Sequence, residues 1–147
     1  MEKEKYIAYV GTYTHGSSIG IHLYDVDVEE GTLSERKVVP VNNSSYVVKS
    51  KNGKYLYSIA DEGVAVFEIK PDGDLELINK VGIDGMRGCY LCVDDTGKYL
   101  FVAGYHDARS QQYIHTRMAV WVRFLTACST KESEVLQNVT SVHMSAV

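Results

Sequence analysis

Three times in this chain a Lys-Tyr phrase opens a short aromatic and β-branched run: "KYIAYVGTYT" from Lys5, "KYLYSIAD" from Lys54 and "KYLFVAGYHD" from Lys98. The phrases stand 49 and 44 residues apart. After the first two comes a glycine-led alternating strand, "GIHLYDVDV" from Gly20 and "GVAVFEIK" from Gly63. An acidic-Gly-x-Leu turn follows each of these, Glu30-Gly31-Thr32-Leu33 and Asp72-Gly73-Asp74-Leu75. Ahead of the second and third phrases stand "SSYVVKSKNG" and "RGCYLCVDDTG". Each reads as a strand running into a turn whose Asn-Gly or Thr-Gly supplies the positive φ of a tight hairpin. A complete unit is therefore four short strands joined by hairpins. Four-stranded units recurring every 40–50 residues or so are the mark of a β-propeller, whose blades fan around a central channel. A β-sandwich also has short strands but does not repeat phrases at blade length, and no segment holds a 3.6-residue period long enough for an α/β fold. The expected class is all-β.

Composition narrows the function. The 147 residues carry a net charge of −4 with both signs interspersed, so there is no basic stripe for nucleic acid and no polybasic segment for anionic lipid. The opening "MEKEKYIAYVGTY" has no apolar core of a signal peptide, and the longest apolar run, "MAVWV", is far too short to span a bilayer. A soluble, cytoplasmic protein is expected. Cys89, Cys92 and Cys128 are odd in number, which argues against a disulfide framework. Cys89 and Cys92 form a C-x-x-C, but on a strand residues three apart point to opposite faces, which disfavours a metal or redox pair. His15, His22 and His106 have no clear ligand spacing, and neither a metal nor an organic cofactor is expected.

The regularity ends at Asp107. Residues 108–147 hold no Gly, Pro or Asp, whereas residues 1–107 hold all 12 glycines and both prolines. Forty residues of hairpins cannot be built without turn formers, yet the segment keeps Val, Phe, Leu and the single Trp and is too apolar for a disordered tail. A nucleotide lost near codon 108 accounts for both facts. Each original codon is then the last base of one written codon plus the first two of the next. Met118 (ATG) followed by Ala119 yields GGC, and Trp121 (TGG) followed by Val122 yields GGT, so two glycines are forced. The codon beneath Met118 becomes Asp, Asn, His or Tyr, and that beneath Trp121 becomes Leu, Val or Met. Under "MAVWV" lies a segment compatible with D-G-x-L-G, the turn missing from the third unit, at blade spacing. Residues 108–147 are accordingly expected to be a non-native, frameshifted tail.

The phrases "YVGTYT", "NNSSYVVKSKNGKYLYSIADEGVAVFEI" and "GKYLFVAGYHD" resemble the seven-bladed β-propeller lactonase family, whose namesake activity is 6-phosphogluconolactonase. The resemblance covers residues 5–107 and is carried most strongly by Gly11-Thr12-Tyr13-Thr14, Asn43-Ser44-Ser45-Tyr46 and Gly53-Lys54-Tyr55-Leu56-Tyr57. Ser45 stands where the family commonly has proline. The resemblance implies a fragment of about two and a half blades out of seven. It also implies hydrolysis of 6-phosphogluconolactone to 6-phosphogluconate in the pentose phosphate pathway. Its partner is a small-molecule sugar lactone, with no nucleic acid, membrane or obligate protein partner. Lactone opening needs a water activated by a general base, donors for the developing oxyanion, and a cation where the substrate carries phosphate. By motif position the resemblance makes Glu62 or His106 the catalytic base, Arg87 the phosphate partner, and Tyr13, Tyr46 and Tyr105 substrate-binding donors. The alternatives are a non-catalytic propeller that binds through its loops and a muconate-lactonising cycloisomerase of the same fold. The repeats lack the G-H…W-D phrases of WD40 scaffolds, which favours the lactonase reading. Because blades bury their flat faces against neighbours, an open fragment is expected to expose two such faces, together with unpaired edges such as "GVAVFEI", and to lack lactonase activity.

Overall fold

Strict apolar alternation between Gly-containing turns produces strands and hairpins, and the computed structural model consists of these. It describes residues 5–61, 63–83, 85, 87–104, 109–114 and 128–129. The strands are β1 (Tyr6–Val10), β2 (Gly20–Asp27), β3 (Thr32–Pro40), β4 (Val47–Lys49), β5 (Tyr55–Ala60) and β6 (Gly63–Ile69). They continue with β7 (Leu75–Val81), β8 (Gly88–Val93), β9 (Tyr99–Gly104), β10 (Arg109–Ile114) and β11 (Cys128–Ser129). Among the described residues there is no helix. Three antiparallel sheets result, ordered β1-β2-β3, β4-β5-β6-β7 and β8-β9-β10-β11. The Lys-Tyr phrases open β1, β5 and β9, and the glycine-led strands are β2 and β6. The expected turn glycines all have positive φ: Gly31 at 64°, Gly53 at 72°, Gly73 at 82° and Gly97 at 67°. The repeat extends to irregularities, since the β2–β3 ladder slips between Leu23 and Tyr24 and the β6–β7 ladder between Val66 and Phe67, equivalent positions of two blades.

Burial follows from the period of two. One core, between the first and second sheets, holds Ile21, Leu23, Val41, Leu56, Ala60, Ala65, Phe67 and Leu75. The other, between the second and third, holds Tyr57, Ile59, Val64, Val66, Ile83, Leu91, Leu100 and Val102. Successive residues of β5 and β6 therefore alternate between two interiors, and the middle sheet is covered on both faces. "GVAVFEI" is accordingly not an unpaired edge: β6 is bonded to β5 on one side and to β7 on the other and is buried from Gly63 to Phe67. The exposed outer strands are β3 and β7, where alternation weakens and charges gather.

Polar clasps tie the first blade to the second. Tyr9 donates its hydroxyl to the Gly73 carbonyl at 2.7 Å, Arg36 donates to the Asp72 carbonyl at 2.7 Å, and Lys37 pairs with Asp74 at 2.6 Å. All three grip the same acidic-Gly turn, so the repeated turn both reverses the chain and docks the neighbouring blade.

Burial pushes the Tyr57 phenol up to about 12, with Tyr55 adding to the rise. A raised pKa favours the neutral phenol in the folded state. Its contribution is whole below pH ~10, where an unfolded tyrosine titrates, and is lost as pH rises toward the folded value. A shift of this size is worth about 3 kcal/mol. Urea unfolding at a series of alkaline pH values should show stability falling across this window, and Tyr57→Phe should flatten the fall. An equally steep loss in the variant would contradict the assignment.

Candidate functional site

Four segments from all three sheets converge at one end: the loop after β1, the segment before β4, the turn after β5 and the start of β8. The convergence begins with Gly11. A Cβ there would lie 2.1 Å from the Ser44 carbonyl oxygen, so only glycine lets the end of β1 pass this close to the next blade. Fully buried Ser44 then closes the contact, accepting from the Thr12 N–H and donating to the Thr12 carbonyl, both at 3.2 Å. Asn43, held at φ 53°, accepts from the Thr14 N–H at 3.1 Å and from the Thr14 hydroxyl at 3.3 Å, and its own N–H donates to Thr14 Oγ1 at 3.2 Å. Its side-chain amide donates to Asp61 Oδ1 at 2.7 Å, and the Asp61 N–H donates to the Asn42 carbonyl at 3.2 Å. Two of the three strongest sequence motifs, Gly11–Thr14 and Asn43–Tyr46, are thus hydrogen-bonded to each other and through Asn43 to the end of β5.

They wall an open cavity of about 490 Å³ lined by Tyr13, His15, Asn43, Ser45, Asp61 and Arg87, with Ile59, Ala60, Gly88 and Cys89 completing it. Tyr13 is largely exposed and tilts against the His15 ring at 5.9 Å between centroids. Arg87 makes no ion pair among the described residues. The space is therefore faced by a carboxylate, an imidazole, a guanidinium, an amide and a phenol. These supply candidate bases, a cation for an anionic group and hydrogen-bond donors for oxygen.

Of the residues expected to serve a site, Tyr13 and Arg87 share this cavity. Tyr46 does not line it. Its neighbour Ser45 does, while the Tyr46 ring packs on the second core and against Tyr90 at 4.9 Å, and its carbonyl accepts from the Ile59 N–H at 2.9 Å. Glu62, Tyr105 and His106 lie outside the described residues. Sequence reasoning missed Asn43, Asp61 and His15 as cavity residues. Asp61 sits beside Glu62 in the same "ADEG" phrase, and Asn43 leads the "NSSY" motif, so the signal was present without the contact that explains it. Cys89 lines the cavity at an irregular point of the β8–β9 ladder, and Cys92 donates to the Val93 carbonyl at 3.7 Å. A second hollow, of about 560 Å³ at the opposite strand ends, is lined by Lys5, Arg36, Lys49 and Lys70. Two of its cations are already neutralised, Arg36 by Asp25 and Lys70 by Glu68 and Glu76.

Residues 7–118 match the family described as lactonase, 7-bladed β-propeller. The chain is 41% identical over 111 residues to the 6-phosphogluconolactonase of Bacillus subtilis, covering 71% of this chain and 32% of that protein. It is 36% identical over 110 residues to the 6-phosphogluconolactonase of Formosa agariphila, covering 67% of this chain and 31% of that one. A candidate 6-phosphogluconolactonase from Bacteroides fragilis superposes with a TM-score of 0.79 at 27% identity, over 88% of this chain and 37% of its own. The chain thus spans about a third of the length of the proteins it matches.

Proposed function

The chain belongs to the lactonase family of 7-bladed β-propellers, and from that premise we propose that the whole protein hydrolyses 6-phosphogluconolactone to 6-phosphogluconate in the cytoplasm, as a step of the pentose phosphate pathway. The observation that carries the reading is the cavity, in which Arg87 faces the same space as Tyr13, Asn43 and Asp61. A lactone carbonyl needs donors as it becomes an oxyanion, and the phenol of Tyr13 and the hydroxyl of Ser45 are of the right chemistry. A phosphate needs a cation that is not already paired, and Arg87, which has no ion pair among the described residues, answers that need. The attacking water needs a base. Glu62 or His106 takes that role in this proposal, and Asp61, held by the Asn43 amide, fixes the end of β5 from which Glu62 continues.

The test separates phosphate recognition from ring opening. In protein carrying the complete ring, Arg87→Gln should lower kcat/KM for the phosphorylated lactone by about 10–100-fold, the worth of a lost charged hydrogen bond. Hydrolysis of the unphosphorylated gluconolactone should change by less than about threefold. Equal losses on both substrates would remove Arg87 from phosphate binding, and no loss on either would remove the cavity from the reaction.

A further inference from the structure

The loop that carries Tyr13 and His15 to the cavity is closed at its base by side chains that do not line the cavity. Thr12 Oγ1 donates to the Gly20 carbonyl at 2.7 Å and lies 2.5 Å from Ser18 Oγ. Ser18 Oγ is 2.8 Å from His22 Nε2, and His22 Nδ1 is 2.7 Å from Glu35 Oε2. Serine, histidine and carboxylate in that order resemble an activated nucleophile. The protons are arranged otherwise. A threonine hydroxyl has one proton, and here the Gly20 carbonyl, which can only accept, takes it. The short contact between the two hydroxyls therefore uses the proton of Ser18. Ser18 Oγ is left with lone pairs only, approached by the Gly20 N–H at 3.4 Å, so His22 must donate to it from Nε2. Nδ1, facing a carboxylate, donates as well. A ring that donates from both nitrogens is an imidazolium.

We infer that His22 is a positioning residue for the cavity: as an imidazolium clamped between Ser18 and Glu35, it fixes the base of loop 11–19 and with it the Tyr13–His15 pair on the cavity wall. The groups facing the ring are Glu35 from β3, Ser18 from the loop and Tyr24 from β2, whose ring stacks on it at 6.2 Å. On the β1 side its strand neighbour is Val10. The hydrogen bond from His22 holds the Glu35 carboxyl below its usual range, and one from the Tyr24 hydroxyl at 3.3 Å adds to it. When the ring becomes neutral it keeps the Nδ1 proton for Glu35 and Nε2 turns acceptor. The Ser18 proton then swings to His22, and the contact with Thr12 loses the hydrogen that made it. The tie between Thr12 and Ser18, which closes the loop, is thereby released.

The consequence for ligand binding rests on the cavity being the lactone site, whereas the clamp is read without any ligand, so the two fail separately. In the uniformly 15N-labelled chain, the ring nitrogens of His22 and the backbone amides of Thr12, Tyr13 and His15 are followed across about pH 5–8, where imidazoles lose a proton. Both ring nitrogens should be protonated at the acid end, and the amides of Thr12 and Tyr13 should move with the midpoint of the ring. Glu35→Gln, which takes the carboxylate away from Nδ1, should disturb the Thr12 and Tyr13 amides relative to the parent's acid form. Ser18→Ala should leave the ring titrating while Thr12 and Tyr13 no longer follow, which supplies the decision if the Glu35 variant does not fold. A ring with a single proton throughout would overturn the inference, as would Thr12 and Tyr13 amides indifferent to the titration in the parent chain.

Discussion

Gly63→Ala is expected to unfold the middle blade. Gly63 opens β6 at φ 138°, a conformation that L side chains rarely adopt, and a Cβ there would lie 2.0 Å from the Val81 carbonyl oxygen and 3.0 Å from the Gly82 Cα. Both obstacles are backbone, so no side-chain rotation relieves them. The start of β6 would have to leave the end of β7, opening Val64 on one core and Ala65 on the other. Gly20 occupies the same place in the first blade, its Cβ position 2.1 Å from the Val39 carbonyl oxygen. The glycine-led strand noted in the sequence is thus a packing requirement, met twice. Strain of about 1–3 kcal/mol and overpacking of a similar size together approach the whole stability of a small domain. Urea unfolding followed by circular dichroism reads the result, with Gly16→Ala as control. Nothing lies within 4 Å of a Cβ at Gly16, and that variant should stay within about 0.5 kcal/mol of the parent. Equal stability of Gly63→Ala and the control would mean that the glycine-led strand has another cause.

What the sequence disclosed about the fold was local, and for that reason it was legible. Period-two alternation and Gly-centred turns act within ten residues, so the strands of the first two and a half blades and the left-handed glycines follow from the string of letters. Which strand ends up inside does not. "GVAVFEI" looks like any exposed alternating strand until β7 covers its outer edge, because strand order in a sheet is a long-range property. The same distinction governs the site. Tyr13 and Arg87 lie in recognisable phrases and reach the cavity. Asn43 and Asp61 act through contacts across 29 and 18 residues of chain, which no spacing rule exposes. Tyr46 stands in the same motif, yet in the segment before β4 it is Ser45 that lines the cavity, while Tyr46 packs on the second core. Ser18, His22 and Glu35 carried no recognisable signal, since their connection runs through one loop and the β2–β3 ladder.

Restoring one nucleotide near codon 108 is expected to raise lactone hydrolysis from the spontaneous rate to a turnover of about 1–10³ s⁻¹, the range of ordinary enzymes. The reason is geometric. A propeller site is assembled around a central channel by loops of several blades, and this chain supplies the walls of two, together with the strands of a third. Repeats below about three also have too few neighbours to bury their faces. The third sheet bears on where the proposed shift begins. Its strand β10 pairs with β9 from Arg109↔Gly104 to Ile114↔Tyr99, and the family match continues to residue 118. A ladder of backbone hydrogen bonds accepts many side chains, so a strand at this position is compatible with either reading frame. The turn that should follow is less tolerant, for it needs a residue that readily takes positive φ, and from residue 108 to residue 137 the written frame offers no Gly, Asn or Asp. The written and frame-restored chains are compared on 6-phosphogluconolactone under one set of conditions. Matching turnover in the two would show that residues 108–147 complete an active site as written.

The most direct test of the account is the nucleotide sequence of the gene from codon 104 through codon 150 and beyond, read in all three frames. The frame restored by one base is expected to place a D-G-x-L-G turn beneath Met118–Val122 and to stay open through about four further blades. A restored frame that closes at once, with the written frame intact, would contradict it and make residues 108–147 a native part of this propeller.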